Sequence, residues 1–401
     1  MEVLTRQHYA DTVDSWLGKG NIIALVGSRR VGKSYVLKDF IQRHKDDENI
    51  NIIFIDKEKK AFNGIRTKDD LNDWIEERFV KDSHNCILID EVQEIKEFED
   101  SVCSWYTEDN TDVILTGSNS DMLSGELATR LSGRYVEVRI HPLTYAEFLQ
   151  FHQLPDGDES LAAYMNYGGL PGLRKIGLEN DEQVWAYLAS VFNTIILKDI
   201  IERHDIRNVP FLNNLIDFYA DTTGKLTSAN SIAKYMKSQQ EDVSSNLVLL
   251  YRGYYTEAFL LDIVQRYDIH GKKIFESNEK IYWDDIGLRN LRTSGSLDSC
   301  IEKIIENIVY KHLRFLGYEV NVGVLNSGEV DFVCRKPGEI IYVQVSYIIG
   351  SEDTRRREFG PLEKIRDNYP KYVISATPLL TRRNENGITH LSLRKFLMEG
   401  I

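Results

Sequence analysis

The sequence predicts an α/β protein, and three observations predict it. Apolar runs of strand length alternate with helical segments through the first 140 residues. A glycine-rich loop joins the first of these strands to a helix. A separate helix-then-strands pattern occupies the chain from Ser296 onward. Strands alternating with helices imply a parallel sheet covered on both faces.

The first strand is Asn21 to Val26 (N-I-I-A-L-V). Further strands are expected at Ile50–Asp56, Cys86–Asp90, Val113–Thr116 and Tyr135–Ile140. Between them, Ser34 to His44 reads as a helix with Tyr35, Val36, Leu37, Phe40 and Ile41 on its buried side. Lys68 to Phe79 places Leu71, Trp74, Ile75 and Phe79 on one face in the same way. Ligands of such sheets bind at the carboxyl ends of the strands.

The loop at the end of the first strand reads Gly27-Ser28-Arg29-Arg30-Val31-Gly32-Lys33-Ser34, the pattern G-x-x-x-x-G-K-[ST] without a mismatch. Gly27 and Gly32 carry no Cβ, so the backbone can wrap tightly and aim its N–H groups at phosphate oxygens. Lys33 is placed for the β- and γ-phosphates, and Ser34 for Mg²⁺. The helix dipole behind the loop faces the anion. The nucleotide-binding candidates are therefore Gly27 to Ser34 and the adjoining Tyr35. A glycine turn matching by chance is the bland alternative, and the strand–loop–helix context argues against it.

The third strand ends in Asp90-Glu91. An acid at a strand tip beside a phosphate loop supplies an outer Mg²⁺ ligand, which makes Asp90 the metal candidate with Ser34. Glu91 is then placed to orient or deprotonate an attacking water. The neighbouring tip, Thr116-Gly117-Ser118-Asn119, either reads the γ-phosphate or forms a turn. No N-K-x-D-like guanine reader follows, which points to ATP.

Composition narrows the class. A chain of 401 residues implies two to four domains, and 42% hydrophobic with 28% charged residues is ordinary for a soluble globular protein. No apolar run is expected to reach a membrane span, and the N-terminus lacks the pattern of a signal peptide. Four scattered cysteines without a C-x-x-C pair fit reduced thiols in a cytosol. Net charge is −13; residues 301–401 hold 15 Lys+Arg against 13 Asp+Glu, a balance of +2, so the rest carries −15. Nucleic-acid contact is therefore local if present, with the C-terminal third the more permissive place.

Five pieces in order, G-S-R-R-V-G-K-S, I-L-I-D-E-V-Q (87–93), L-T-G-S-N-S (115–120), L-S-G-R-Y (131–135) and H-P-L-T-Y-A-E-F (141–148), resemble the AAA+-like ATPases of the archaeal-ATPase type. The resemblance implies a Walker A role for Lys33 and Ser34 and a Walker B role for Asp90. It implies catalysis by Glu91, sensing by Ser118 or Asn119, and an arginine finger from Arg130 or Arg134 toward a neighbouring subunit. Surface salt bridges are the alternative for both arginines. ATP and Mg²⁺ are the implied cofactors and a homo-oligomer is an implied state. The resemblance also places Tyr167-Gly168-Gly169-Leu170-Pro171-Gly172 in a helical lid.

Beyond a long helix at Val184–Arg203, Leu226–Met236 and Val243–Tyr254 look like a helix-turn-helix. Strands at Phe259–Arg266 and Lys273–Trp283 follow as a β wing with Gly271-Lys272-Lys273 at its tip. A winged helix serves DNA or protein contact, and only Arg252 lies near its second helix. Then come a helix at Ser296–Phe315, strands at Tyr318–Val322, Gly328–Val333 and Ile340–Val345, a helix at Leu362–Asn368 and a strand at Tyr372–Ala376. This series resembles the PD-(D/E)xK nuclease core. Glu306 and Asp331 match its first two acids. Gln344 and Ser346 stand where an acid and a lysine belong, so the fold is expected and metal-dependent cleavage is not. Arg355-Arg356-Arg357 either grips phosphate or is solvated.

The expected organisation is a P-loop NTPase core at 1–150 and a helical lid at 151–205. A winged-helix-like domain at 206–292 and a degenerate restriction-endonuclease-like α/β domain at 293–401 complete it. The whole resembles a prokaryotic group of AAA-type ATPases fused to a C-terminal domain of unknown function. The implied activity is an ATP-hydrolysing switch acting on nucleic acid or protein; an ATP-regulated nuclease and a slow-turnover signalling or defence scaffold are the alternatives.

Overall fold

The structure is a computed structural model of the chain and describes residues 3–401 apart from 118–132, 294–296, 327 and 379. Two compact units divide it: residues 1–141 with 257–259, and residues 142–256 with 260–401.

The first unit is built on five parallel strands in the order β2-β3-β4-β1-β5. They are β1 (Ile22–Val26), β2 (Ile50–Asp56), β3 (His84–Asp90), β4 (Thr111–Gly117) and β5 (Tyr135–Arg139). All five expected strands are present, and β2 has the bounds that were expected. β1 is wholly buried, as are the last six residues of β3, the pattern of a sheet covered on both faces. Ile22, Ala24 and Val26 of β1 pack with Ile87 and Ile89 of β3 and with Val113 and Leu115 of β4. The helix Lys33–His44 follows the glycine loop, and the helix Lys68–Glu76 starts at a Thr67–Asp70 capping box. Parallel pairing sets Val26 beside Gly117 and Asp56 beside Asp90, so the loop and the acidic tip share one edge of the sheet.

The second unit carries an eight-stranded mixed sheet in the order β12-β13-β11-β10-β9-β8-β6-β7. Its strands are β6 (Leu261–Asp268), β7 (Lys273–Trp283), β8 (Glu319–Leu325), β9 (Gly328–Lys336), β10 (Glu339–Ser346), β11 (Lys371–Ser375), β12 (Arg382–Glu385) and β13 (Ile388–Ser392). The helix Leu297–Phe315 lays Ile304, Ile305, Ile308 and Val309 against Val320, Val322, Phe332 and Val343. Phe359 and Leu362 join a second cluster with Val333, Tyr342 and Val373. Consecutive β10 residues thus face opposite sides, as the period of a strand requires.

Three features differ from the sequence reading. The expected wing strands form a hairpin, but β6 also pairs in parallel with β8, from Arg266↔Val322 to Asp268↔Val324. The hairpin therefore continues the same sheet as 319–392. Backbone groups on the open edge of β6 need partners, and β8 supplies them. The helix expected at Leu362–Asn368 instead spans Glu352–Glu363, capped by Ser351 and tolerating Pro361 inside it. Among the described residues one helix, Asp181–His204, is long and apolar enough to cross a membrane by length and composition. Of its apolar residues, Val184, Leu188, Val191, Phe192, Ile195, Ile196 and Ile200 are buried within the protein, while Leu197 is exposed.

The Gly/Pro segment has a packing reason. Asp285 caps the helix Ile286–Leu291 by accepting from Leu288 N at 3.1 Å, and its other oxygen accepts from Gly169 N at 2.8 Å. Gly168 has φ +76°, and a Cβ on Gly169 would sit 2.3 Å from Leu143 O.

Candidate nucleotide site

The phosphate loop is shaped by its glycines. Gly27 has φ +147°, and a Cβ there would lie 2.3 Å from Ile140 O. Gly32 has φ +105° and stands at the N-terminus of the helix Lys33–His44, whose first N–H groups have no intrahelical acceptor. Val31 is fully buried and its carbonyl accepts from Arg6 Nη1 at 3.2 Å, which anchors the crest of the loop. Ser28 is buried with no hydrogen-bond partner for its Oγ among the described residues. Arg29 is half-buried, Arg30 is exposed at φ +66°, and Tyr35 points outward with Lys38 over its ring.

Lys33 is buried, and its Nζ donates to the carbonyls of Gly27 and Ser28, both at 2.9 Å. The ammonium is folded onto the loop it serves. An arriving phosphate would exchange these neutral acceptors for charged ones, which bind an ammonium more strongly.

Asp90 sits at the tip of β3 and is fully buried. Its Oδ1 accepts from Thr116 Oγ1 at 2.6 Å, while Oδ2 has no hydrogen-bond partner among the described residues. Burial pushes this carboxyl up to about 6, against the Thr116 and Ser34 hydroxyls beside it, and Glu91 and Asp56 push the same way. A buried carboxylate with a bare oxygen and two acidic neighbours is short of one positive charge. The donor set, a carboxylate and a serine hydroxyl beside a phosphate loop, is all oxygen and suits Mg²⁺.

Glu91 follows with φ +55°, and its N–H donates to Thr116 Oγ1 at 2.9 Å. Its Oε2 accepts from Gln93 Nε2. One threonine hydroxyl therefore positions both the metal candidate and the general-base candidate. Sequence reasoning placed Thr116 in the polar tip but not in this role. Asp56, paired with Asp90 in register and 3.2 Å from Lys59 Nζ, was missed altogether.

Gly117, the last described residue before the sensor candidates, pairs with Val26 at the loop edge; Ser118, Asn119 and Arg130 lie outside the described residues. Arg134 stands just before β5. Its carbonyl accepts from Ile22 N at 2.9 Å, at the opposite end of β1 from the phosphate loop. The five residues of β1 span about 16 Å, more than an arginine side chain can reach, so Arg134 does not serve the nucleotide site of its own chain.

In the second unit, Glu306 and Asp331 do meet, and Gln344 joins them. Gln344 Oε1 accepts from Asp331 N at 3.2 Å, and its Nε2 donates to Glu358 at 3.0 Å. Ser346 is buried on β10, paired with Ser375 in register. The sequence reading missed Lys280 of β7, whose Nζ lies 3.0 Å from Glu306, 3.3 Å from Asp331 and 2.8 Å from Glu329. In the arginine triplet, Arg355 pairs with Glu385 and Arg357 with Glu358. Arg252 pairs with Glu279.

Residues 19–149 match the AAA domain family, and residues 158–296 match a domain of unknown function, DUF8612. An uncharacterized protein of Haemophilus influenzae is 32% identical over 381 residues, covering 93% of each chain. An uncharacterized protein of Methanocaldococcus jannaschii is 28% identical over 359 residues, covering 86% of this chain and 78% of its own. Among solved structures, the Walker-type ATPase of Pyrococcus abyssi aligns with a TM-score of 0.48 at 15% identity, over 72% of this chain and 95% of that one. With near-complete coverage at this identity, the chain belongs to one family with the Haemophilus influenzae protein, and its N-terminal third matches the AAA domain family.

Proposed function

We propose that this chain is a Mg²⁺-dependent ATPase switch. In this reading Gly27 to Ser34 hold the triphosphate and Glu91 takes the proton of the attacking water. The single observation that carries it is Asp90: buried, held by Thr116, and bare at Oδ2 beside the phosphate loop. Ser34 and Asp90 would hold the metal ion, which when bound offsets the charge of the phosphate oxygens. Lys33 holds negative charge on the phosphates, and the Thr116 contact fixes where the Glu91 backbone stands. Asn119 is proposed as the sensor. An arginine finger, Arg130 or Arg134, comes in this reading from a neighbouring subunit of a homo-oligomer. The free cysteines Cys86, Cys103, Cys300 and Cys334 support a reducing cytoplasm.

The switch acts, in this reading, on a protein. On the helix Ser245–Glu257, the second of the helix-turn-helix pair, Leu249 and Leu250 are exposed. Its Arg252 is occupied by Glu279. Phosphate neutralisation supplies most non-specific DNA affinity, and this face offers little of it.

The test is the ATPase rate of the full chain and of E91Q and K33A, with and without single-stranded DNA, double-stranded DNA and RNA. E91Q should bind ATP and lose roughly 100-fold or more in turnover, the usual scale of a general base. Normal turnover by E91Q would move the base elsewhere. Stimulation by any of the nucleic acids would overturn the protein target while leaving the ATPase reading intact.

A further inference from the structure

Glu306 comes from the helix Leu297–Phe315, and Glu329 and Asp331 from β9. Their oxygens converge on one atom, the Nζ of Lys280 on β7, at 3.0, 2.8 and 3.3 Å. An ammonium has three N–H donors, and three carboxylates take them, so no donor is left over for a substrate. The Lys280 side chain is only 5% exposed.

The acids are committed as well. Glu306 Oε1 also accepts from Tyr282 OH, and Asp331 Oδ2 accepts from Val345 N at 2.9 Å. Gln344 spends its amide between Asp331 and Glu358. A lysine that served a reacting phosphate would need a free N–H and access to solvent, and Lys280 has neither.

We propose that the Lys280 ammonium is the resident cation of this cluster, standing where three carboxylates would otherwise hold a divalent metal. The C-terminal unit is then a metal-free module, and a hard-cation site lies latent beneath one side chain. The position of the lysine supports this. It arrives from a strand far upstream of the one that carries Ser346, and it sits among the acids.

The experiment counts Mn²⁺ bound to the nucleotide-free full chain by equilibrium dialysis, for wild type, D331N, K280M and K280M/D331N. The phosphate-loop site is common to all four and cancels. Wild type and D331N should hold equal numbers of Mn²⁺, because the cluster holds none. K280M should gain one ion per chain and K280M/D331N should lose it. If wild type holds one ion more than D331N, the acids carry a metal with Lys280 in place, and the proposal fails. If folded K280M gains no ion, it fails too. Unpaired, the three acids destabilise K280M, so its melting is followed alongside. Millimolar Mn²⁺ should raise its Tm by several degrees more than that of wild type, and K280M that stays unfolded in Mn²⁺ overturns the proposal.

Discussion

Thr116 donates its hydroxyl proton to Asp90 Oδ1 at 2.6 Å and accepts the Glu91 N–H at 2.9 Å. The two acids at the tip of β3 are therefore set by one side chain on β4. T116V keeps the volume and the buried β-branched shape but removes both contacts. Partners that orient a metal ligand typically account for about 10–100-fold in metal affinity or activity. T116V should lose that much in kcat, with a smaller change in ATP affinity, because Gly27 to Ser34 are untouched. Steady-state ATPase and nucleotide titration separate the two, and an unaltered kcat would remove Thr116 from the site.

Lys33 donates to two neutral acceptors, Gly27 O and Ser28 O, in the nucleotide-free structure. Its value in binding is the gain on exchanging these for phosphate. Hydrogen bonds to charged groups contribute about 1.5–3 kcal/mol each, or roughly 10–100-fold in affinity. K33A should weaken ATP by about that factor or more while the fold persists, as read by fluorescence titration of a labelled nucleotide. Binding as tight as wild type would detach the loop from the phosphates.

The phosphate loop and Asp90-Glu91 are legible in the sequence because each is contiguous and its chemistry is local. Thr116 and Asp56 are legible only as strand ends, since register between strands decides what they touch. Lys280 is hidden for the same reason on a larger scale. Its spacing says strand, but nothing in 273–283 says that β6 will pair with β8 and bring β7 to the acids of β9. The helix Glu352–Glu363 escapes because charged residues fill it and Pro361 reads as a break, while the Ser351 cap carries the start signal. Arg134 stands just before β5, at the end of a parallel strand far from the phosphate loop, so a finger role for it is one played toward a neighbouring subunit, which a single chain's sequence does not spell out.

Asp90 and Asp285 give the protein a pH signature. Burial raises each from an ordinary 3.8 to about 6; hydroxyl contacts hold Asp90 down and the Gly169 and Leu288 N–H groups hold Asp285 down. Each folded carboxyl keeps its proton to higher pH than the unfolded one. The contribution to stability is thus fully present below about pH 4 and is lost as pH rises through about 6. Each group gives a slope of roughly 1.4 kcal/mol per pH unit in that window. Melting of the metal-free protein should show a falling component from these two acids between pH 4 and 6. D90N and D285N should each flatten it. Mg²⁺ with nucleotide binds the charged form of Asp90, so its stabilisation should grow over the same range. Wild-type slopes in both variants would contradict these assignments.

Gly169 tests the packing of the Gly/Pro segment without touching the nucleotide site. Its N–H donates to Asp285 and its carbonyl accepts from Leu143 N at 2.7 Å, so the residue is fixed from both sides. An added methyl would meet Leu143 O at 2.3 Å, and this obstacle is backbone that cannot rotate away. Overpacking of this kind costs about 1–3 kcal/mol. G169A should lower stability by that amount in urea unfolding. At the next glycine in the same turn, Gly172, an added methyl would meet the Tyr187 hydroxyl at 1.9 Å, the far end of a side chain that can swing, so G172A should cost less. If G172A proves the more damaging of the two, the rigid Leu143 contact is not what makes this turn need glycine.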